Sequence, residues 1–237
     1  MLWLLLATLL TVARGATPDE VVARVQAAAP MRALRTQKSA PQPSEEEIRK
    51  AASGTIVSGV RGTTAWGVAV LNLPIGRLWA GLNDETRHPG YTATAYSELM
   101  SGQACASGRK VFQYLPVPMV DDRWWVSVLR TNQPLQRDSG GAMRELYFQG
   151  GSDPAQVISA AARKLIPEAA PIRSTRGGWF LIAIDPYTTY VEYHSNTDPG
   201  EGVPQSLALK LAARGVRETI LAMEKFAKEG HPVCPVF

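Results

Sequence analysis

The sequence predicts an α+β fold in which an antiparallel β-sheet packs against one long C-terminal helix. Strand-like runs rich in β-branched and aromatic residues recur between Gly54 and Asn196, separated by turn residues. An apolar stripe at helical spacing then runs from about Pro204 to Glu229. The chain has 237 residues, 45% of them hydrophobic, so it is long enough to bury a sizeable core.

Residues 1–15 are expected to be a signal peptide. The apolar run from Leu2 to Ala13 is too short to span a bilayer, which takes about 20 residues, but its length suits a signal core. The small residues Ala13 and Gly15 predict cleavage after Gly15. We therefore expect an exported, periplasmic mature chain; the alternative is an uncleaved N-terminal membrane anchor.

Residues 16–53 are predicted to be a helical segment that contains a Pro-rich linker. Thr17 is expected to cap a first helix that Pro30 ends. Ser44 and Glu47 have the spacing of a capping box and predict the start of a second helix. Because the segment carries little apolar surface, it either packs on the following domain or moves beside it.

Residues 54–229 are predicted to form the main domain, with residues 230–237 as a tail. Its strand-like runs are residues 54–60, 63–74, 92–102, 108–119, 123–131, 142–150, 177–186 and 188–196. Two segments between the strands are predicted to be helical. Apolar spacing predicts the first, over 75–91. Asp153 is expected to cap the second, and Pro167 is expected to end it.

The long C-terminal helix has two interpretations. Its bulky residues alternate with small ones: Leu207, Leu211, Ile220, Met223 and Phe226 against Ala208, Ala212, Gly215 and Ala222. Such a stripe is typical of core packing. Laid across a curved sheet, its small residues would instead leave a cavity beneath the helix. Both interpretations stay open at this point.

Charge and motif content argue against several classes of function. The 25 Lys and Arg and 21 Asp and Glu are scattered, so nucleic-acid binding is not expected. Two cysteines and three histidines without ligand spacing predict no metal site. Cys105 and Cys234 either pair or stay free, since a disulfide needs their Cα atoms within about 7 Å.

The run "RDSGGA" over residues 137–142 resembles the nucleophile segment of trypsin-like serine proteases. Such a protease needs a histidine base and an orienting aspartate besides the serine. His88 is the only histidine upstream, and it lacks that family's surrounding residues. Asp138 to Gly141 is therefore predicted to be a hairpin turn between two strands.

Three motifs resemble the START-like, helix-grip (SRPBCC, Bet v 1-like) superfamily. They are "VAVLNLPIGRLWAGLND" over residues 68–84, "DRWWVSVLR" over 122–130 and "VEYHSNTDPGEGVP" over 191–204. The resemblance covers about Gly54 to Glu229. It implies a curved antiparallel sheet of about seven strands that wraps around the C-terminal helix and encloses an apolar tunnel. In the START branch this tunnel holds a sterol, phospholipid or other apolar ligand without a cofactor.

Strand alternation gives an independent prediction of the inward face. Arg123, Trp125, Ser127 and Leu129 share one face of their strand, and Val191, Tyr193 and Ser195 share one face of another. Arg123 resembles the arginine of the START segment R-D-F-V-S-V-R, and an ion pair with Asp121 or Asp122 is favoured over a ligand contact. Leu129 replaces a second inward arginine, so the tunnel is more apolar or its polar contact has moved.

The residues predicted to contact the ligand combine aromatic faces, the inward strand positions and the small side chains of the last helix. They are Trp79, Tyr114, Arg123, Trp125, Ser127, Leu129, Trp179, Leu181, Val191, Tyr193, Ala208, Leu211, Ala212, Gly215 and Met223. For each aromatic residue an ordinary place in the core is the alternative.

The resemblance thus implies a START-like carrier of one apolar ligand, and the signal peptide predicts that it is exported. Its partner is a lipid or other apolar small molecule, with transient membrane contact and no nucleic acid. Alternatives are a cyclase- or aromatase-like enzyme using Asp84, Tyr114 or Tyr193, or a scaffold without a ligand. Ligand exchange is expected to open a loop near residues 83–91 or 197–204.

Overall fold

A computed structural model describes residues 15–118, 120–203 and 205–235. All but Gly15 of the predicted signal peptide therefore lies outside the described residues. Within the described part of the chain, the helices are too short or too polar to cross a membrane.

The described residues form one curved, unclosed sheet of nine strands. The strands are β1 Val57–Arg61, β2 Thr64–Leu71, β3 Tyr96–Ser101, β4 Arg109–Leu115, β5 Asp122–Thr131, β6 Met143–Gly151, β7 Ala169–Pro171, β8 Ser174–Asp185 and β9 Thr188–Asp198. Their order is β1-β2-β9-β8-β6-β5-β4-β3, and all of these neighbours are antiparallel. The short β7 adds a parallel pairing to β5. The sheet thus has more strands than the seven expected, and β1 and β3 are its edges.

Seven α-helices and three 3₁₀ helices connect these strands in the described residues. The α-helices are α1 Pro18–Ala27, α2 Ala29–Arg32, α3 Glu45–Ala52, α4 Ile75–Leu82, α5 Gln133–Asp138, α6 Ala160–Arg163 and α7 Gln205–Glu229, and the 3₁₀ helices are Glu85–Arg87, Pro154–Gln156 and Ile166–Glu168. The predicted α+β class, with a long final helix against an antiparallel sheet, is confirmed.

The inner face of the sheet is covered by α4 and the C-terminal half of α7. Val216, Ile220 and Phe226 of α7 belong to the main core cluster. Gly67 lets α7 approach β2 closely, because a Cβ there would lie 2.6 Å from Val216 and 3.2 Å from Ile220. Any larger residue at position 67 would push the helix off the sheet.

The N-terminal segment covers the outer face of β2, β8 and β9 and therefore packs on the domain. Val21 and Ile48, from α1 and α3, are buried in a second cluster with Phe180 of β8. Buried ion pairs reinforce this contact, with Arg35 Nη1 2.6 Å from Glu192 Oε2. The alternative of a segment that moves beside the domain has no support in this packing.

Both predicted N-terminal helices have the expected caps. Thr17 and Ser44 each head a capping box, in which the side chain accepts from the backbone N–H three residues on. The prediction that Pro30 ends the first helix is wrong. The helix α1 ends at Ala27, and Pro30 lies in the first turn of α2, where its missing N–H costs nothing.

Two connections differ from their sequence predictions. The single helix expected from Asp153 to Pro167 is a 3₁₀ turn, the short α6 and a second 3₁₀ turn, and β7 follows. A proline lies at the start of each of these two 3₁₀ turns, whereas α6 starts after the Ser159 cap. The hairpin turn expected at 138–141 is preceded by α5, which Asn132 caps. Gly140 and Gly141 do adopt positive φ, at 61° and 82°, and lead the chain back into β6.

Cys105 and Cys234 form a disulfide, with their Cα atoms 5.5 Å apart. The bond fastens the C-terminal tail to the loop between β3 and β4. Two hydrogen bonds hold the tail on the segment after α4: Val233 N donates to Asp84 Oδ2 at 2.9 Å, and Arg87 donates to the His231 carbonyl at 2.8 Å. The tail and the segment that follows α4 are therefore fixed together.

Candidate ligand-binding cavity

A cavity of about 390 Å³ lies between the inner face of the sheet and the N-terminal half of α7. Pockets for small molecules typically measure about 300–1,000 Å³, so this one is at the small end of the range. Strands β4, β5, β6, β8 and β9 form its wall on one side, and α7 forms the other side.

The two interpretations of α7 apply to different halves of the helix. Ile220 and Phe226, in the C-terminal half, are fully buried in the core. Ala208, Ala212 and Gly215, in the N-terminal half, line the cavity instead. A Cβ built on Gly215 meets no atom within 4 Å, so open space lies in front of this position. The small residues thus keep the helix from filling the space beneath it.

The alternation predicted for β5 is confirmed. Its inward residues line the cavity: Arg123, Trp125, Ser127 and Leu129. Trp124 and Val126 point to the outer face, where they belong to a separate buried cluster with Phe112. Trp125 Nε1 donates to Gln113 Oε1 at 3.0 Å, which holds the indole against the neighbouring strand. The Ser127 hydroxyl is buried and has no hydrogen-bond partner among the described residues.

Aromatic rings of β8 and β9 continue the wall. Trp179 and Tyr193 stack with ring centroids 4.3 Å apart. Burial raises the pKa of Tyr193 to about 12, against a smaller opposing effect of a hydrogen bond with Ser195. The phenol therefore stays protonated at neutral pH and can donate a hydrogen bond, but it is a poor proton donor for catalysis.

One end of the cavity contains a buried ion pair. Arg109 binds Glu85 through two nitrogens, with Nε 2.8 Å from Glu85 Oε2, and Nη2 also donates to Asn83 Oδ1 at 3.1 Å. Arg109 of β4 pairs directly with Leu129 of β5. An inward arginine thus lies directly beside Leu129 on the adjacent strand, but it is bound to Glu85 and Asn83 and is not itself part of the cavity wall.

His88 lines the same end and is neutral. Burial is the main cause that lowers the pKa of His88, while the nearby Glu85 charge opposes it. The ring lies edge-on to Phe226, and its Nε2 is 2.8 Å from the Gly81 carbonyl oxygen. The imidazole thus fixes the segment after α4 to the core.

The other end is a mouth lined by two loops. The first loop runs towards this mouth from His88, to whose carbonyl the Thr92 hydroxyl donates a hydrogen bond, and Thr94 borders the mouth; Pro199 and Val203 belong to the second loop. Arg123 bridges β5 and this second loop, because its Nε donates to the Pro199 carbonyl at 3.1 Å and its Nη2 to the Glu201 carbonyl at 3.2 Å. Leu211, in the first half of α7, lines the cavity and is 45% exposed.

The predicted ion pair of Arg123 is wrong. Its Nη1 donates to the backbone carbonyls of Asp121 and Asp122, not to their carboxylates. The cause is strand alternation, which turns the Asp122 side chain to the opposite face. There Asp122 accepts from the Tyr114 hydroxyl and from Val117 N, the latter at 3.0 Å.

Eleven of the fifteen residues predicted to contact the ligand lie in the cavity wall, and their role as ligand contacts stays a prediction. The structure does not bring the other four to the cavity. Tyr114 points to the outer face, since Gln113 and Leu115 are the inward residues of β4. Trp79, Leu181 and Val191 face inward but are buried in the core beyond the end of the cavity.

The three residues considered for catalysis do not come together. Asp84 is engaged with the C-terminal tail, Tyr114 lies on the outer face with Asp122, and only Tyr193 lines the cavity. Within the described part of the chain, no group of three His, Cys, Asp or Glu residues is arranged to hold a metal ion.

Solved structures provide the comparison with known proteins. A STAR-related lipid transfer protein from Xanthomonas axonopodis is similar with a TM-score of 0.56 and 16% identity over 73% of this chain and 93% of that one. Human StAR-related lipid transfer protein 5 is similar with a TM-score of 0.54 and 12% identity over 88% of this chain and 99% of that one. Human STARD10 is similar with a TM-score of 0.52 and 11% identity over 83% and 84% of the two chains.

The sequence matches no protein-family model and none of the curated proteins. At these identities the likeness is one of fold. This likeness of fold agrees with three features of the chain: the order of its elements, its unclosed antiparallel sheet and the final helix across the inner face of the sheet. The chain has the START-like helix-grip fold.

Proposed function

We propose that this chain is an exported carrier that holds one apolar ligand between its sheet and α7. The observation that supports the proposal most is the cavity of about 390 Å³, whose wall is dominated by side chains such as Trp125, Leu129, Phe148 and Trp179. Burying a ligand's hydrocarbon surface against such a wall is favourable by roughly 25 cal/mol for each Å² removed from water. The names of the similar structures, which are lipid transfer proteins, point the same way.

The size of the cavity supports a small ligand. At about 390 Å³ it suits a single hydrocarbon chain or a compact ring system better than a phospholipid with two long chains. We therefore place single-chain lipids and sterol-like molecules ahead of phospholipids.

The loop over residues 197–203 is the opening that we propose. The other predicted gate, residues 83–91, is held by the Glu85–Arg109 pair and by the bonds of Arg87 and Asp84 to the tail. In the 197–203 loop, Gly200 and Gly202 both have φ near 80° and can absorb a backbone change.

Membrane contact is proposed at the same mouth. Leu207 and Leu211 of α7 are 36% and 45% exposed there, which is apolar surface that a bilayer can cover. Export is proposed from the signal peptide predicted over residues 1–15. Both are parts of the carrier hypothesis and are tested separately from ligand binding.

The test is to incubate the purified chain from Ala16 onward with a sterol, a fatty acid and a phospholipid, and to analyse both complex and extract. A carrier binds one equivalent of at least one of them and returns it with an unchanged mass. A product of altered mass would instead favour the enzyme, and the absence of binding to all three would favour a scaffold without a ligand.

A further inference from the structure

Two charged side chains contribute to the cavity wall, and only one of them has an ion-pair partner among the described residues. Glu85 at one end is paired with Arg109, so the charges of that pair cancel. Arg123 at the mouth is 4% exposed and has no such partner. The wall of the cavity therefore carries a buried positive charge with which no carboxylate in the described part of the chain forms an ion pair.

Four backbone carbonyls satisfy most of the hydrogen bonds of Arg123. Its Nε donates once, Nη1 twice and Nη2 once, to Pro199, Asp121, Asp122 and Glu201. A guanidinium has five N–H groups, so one on Nη2 is left without a partner among the described residues. Carbonyl oxygens accept hydrogen bonds but carry no full negative charge, so they do not neutralise the cation.

Asp122 is the nearest acid along the chain and does not fill this role. The hydrogen bond from Tyr114 is the main cause that lowers the pKa of Asp122, and the charge of Arg123 is a smaller one. Both Asp122 oxygens are already occupied, by the Tyr114 hydroxyl and by Val117 N. Its carboxylate therefore attracts Arg123 from the outer face without forming an ion pair.

A second arginine without an ion-pair partner in the described ranges lies on the inner face of the sheet. Arg144 of β6 is on the same face as Leu146 and Phe148, which line the cavity. Arg144 is 4% exposed, and its Nε and Nη1 have no hydrogen-bond partner among the described residues. Its guanidinium lies over the ring of Trp79, 5.6 Å from the centroid. It adds positive potential behind the end of the cavity.

We propose that the preferred ligand is an acidic amphiphile, a molecule with one carboxylate and one hydrocarbon chain or compact apolar body, and that its carboxylate pairs with Arg123. This rests on the carrier function proposed above. A carboxylate at the mouth supplies the missing negative charge to a buried guanidinium and accepts from its free N–H. The hydrocarbon part then lies along Trp125, Leu129 and Trp179.

The first experiment compares head groups on the unchanged protein. Dodecanoic acid, dodecan-1-ol and dodecylamine share one chain length, and quenching of tryptophan fluorescence reports binding below their micelle concentrations. At about pH 8 the acid is ionised. We expect the acid to bind about tenfold or more tightly than the alcohol, as for one charge-assisted hydrogen-bonded pair, and the amine to bind weakest.

The second experiment removes the charge. Arg123→Gln is expected to lower the affinity for the acid about tenfold, so that the ratio of acid to alcohol affinities approaches one. Arg123→Lys keeps the positive charge and is expected to keep a preference for the acid. It therefore separates the effect of the charge from that of the hydrogen bonds that Arg123 donates to the loop. Arg214→Gln is the matched control, because Arg214 is an exposed arginine of α7 that pairs with Glu218.

The outcomes distinguish this inference from the carrier proposal. An alcohol or amine that binds as tightly as the acid would overturn the inference and leave the carrier intact. An acid preference that persists in Arg123→Gln would overturn the assignment to Arg123. If none of the three compounds binds, and sterols and phospholipids do not either, the carrier proposal is overturned and this inference with it.

Discussion

Filling the cavity from the helix side should separate ligand binding from folding stability. Gly215 lies in the middle of α7, and a Cβ there would point into open space next to the cavity. In Gly215→Leu the new side chain would occupy part of the 390 Å³ that a ligand needs. We expect the affinity for the best-bound apolar ligand to fall at least tenfold, because the ligand must displace a bulky side chain.

The same substitution should make the protein more stable. Glycine in a helix interior is unfavourable by about 0.5–1 kcal/mol relative to alanine, and leucine is nearly as good a helix former as alanine. Partial burial of the leucine side chain adds a further gain. The free energy of unfolding should therefore rise by about 1–2 kcal/mol, measured by urea denaturation.

Ala213→Leu is the matched control, because Ala213 lies on α7 outside the cavity wall. It should leave the affinity within about twofold of the unchanged protein. If Gly215→Leu bound the ligand as tightly as the unchanged protein, the cavity would not be the binding site. If it were destabilised by more than about 1 kcal/mol, the space in front of position 215 would not exist.

Three further substitutions have distinct expected results. Trp125→Ala should weaken ligand binding at least tenfold. It should lower the free energy of unfolding by less than the roughly 3–5 kcal/mol that replacing a core tryptophan by alanine costs. A variant that does not fold would instead place Trp125 in the core. Burial, and then the charge of Arg35, lower the pKa of His194 to about 4. In the unfolded chain the imidazole of His194 binds a proton near pH 6.5, whereas in the folded chain it does so only near pH 4. The free energy of unfolding should therefore fall by about 3 kcal/mol as the pH drops from 6.5 to 4. In His194→Gln the free energy of unfolding should fall less over the same range. Arg144→Met should raise the free energy of unfolding by about 1–3 kcal/mol, since it removes a buried cation without an acid partner; a loss of stability would show that Arg144 is paired in solution.

Much of the fold was predictable because it depends on local patterns. The capping boxes at Thr17 and Ser44 depend on residues three apart, and the face of Trp125 depends on alternation within one strand. The caps and the alternation can be predicted without knowing which residues of other helices or strands lie opposite them. The small residues along α7 were compatible with a cavity beneath the helix, but the sequence left ordinary core packing equally open.

The features that were missed depend on register and on contacts distant in sequence. Alternation alone does not say which face of β4 is inward, and only its pairing with β5 places Gln113 opposite Trp125 and turns Tyr114 outward. Two of the four carbonyl partners of Arg123, those of Pro199 and Glu201, come from a loop more than seventy residues away. Nothing local in the sequence signals that Arg109 lies directly beside Leu129 in the sheet.

The central claim is that the space beneath α7 holds one ligand, and native mass spectrometry of the chain as purified tests it most directly. The account predicts a single one-to-one adduct, identified in the organic extract as an apolar molecule, that is strongly reduced in Gly215→Leu and retained in Ala213→Leu. An adduct of equal abundance in Gly215→Leu would contradict the claim, as would a protein that stays empty after incubation with sterols, fatty acids and phospholipids.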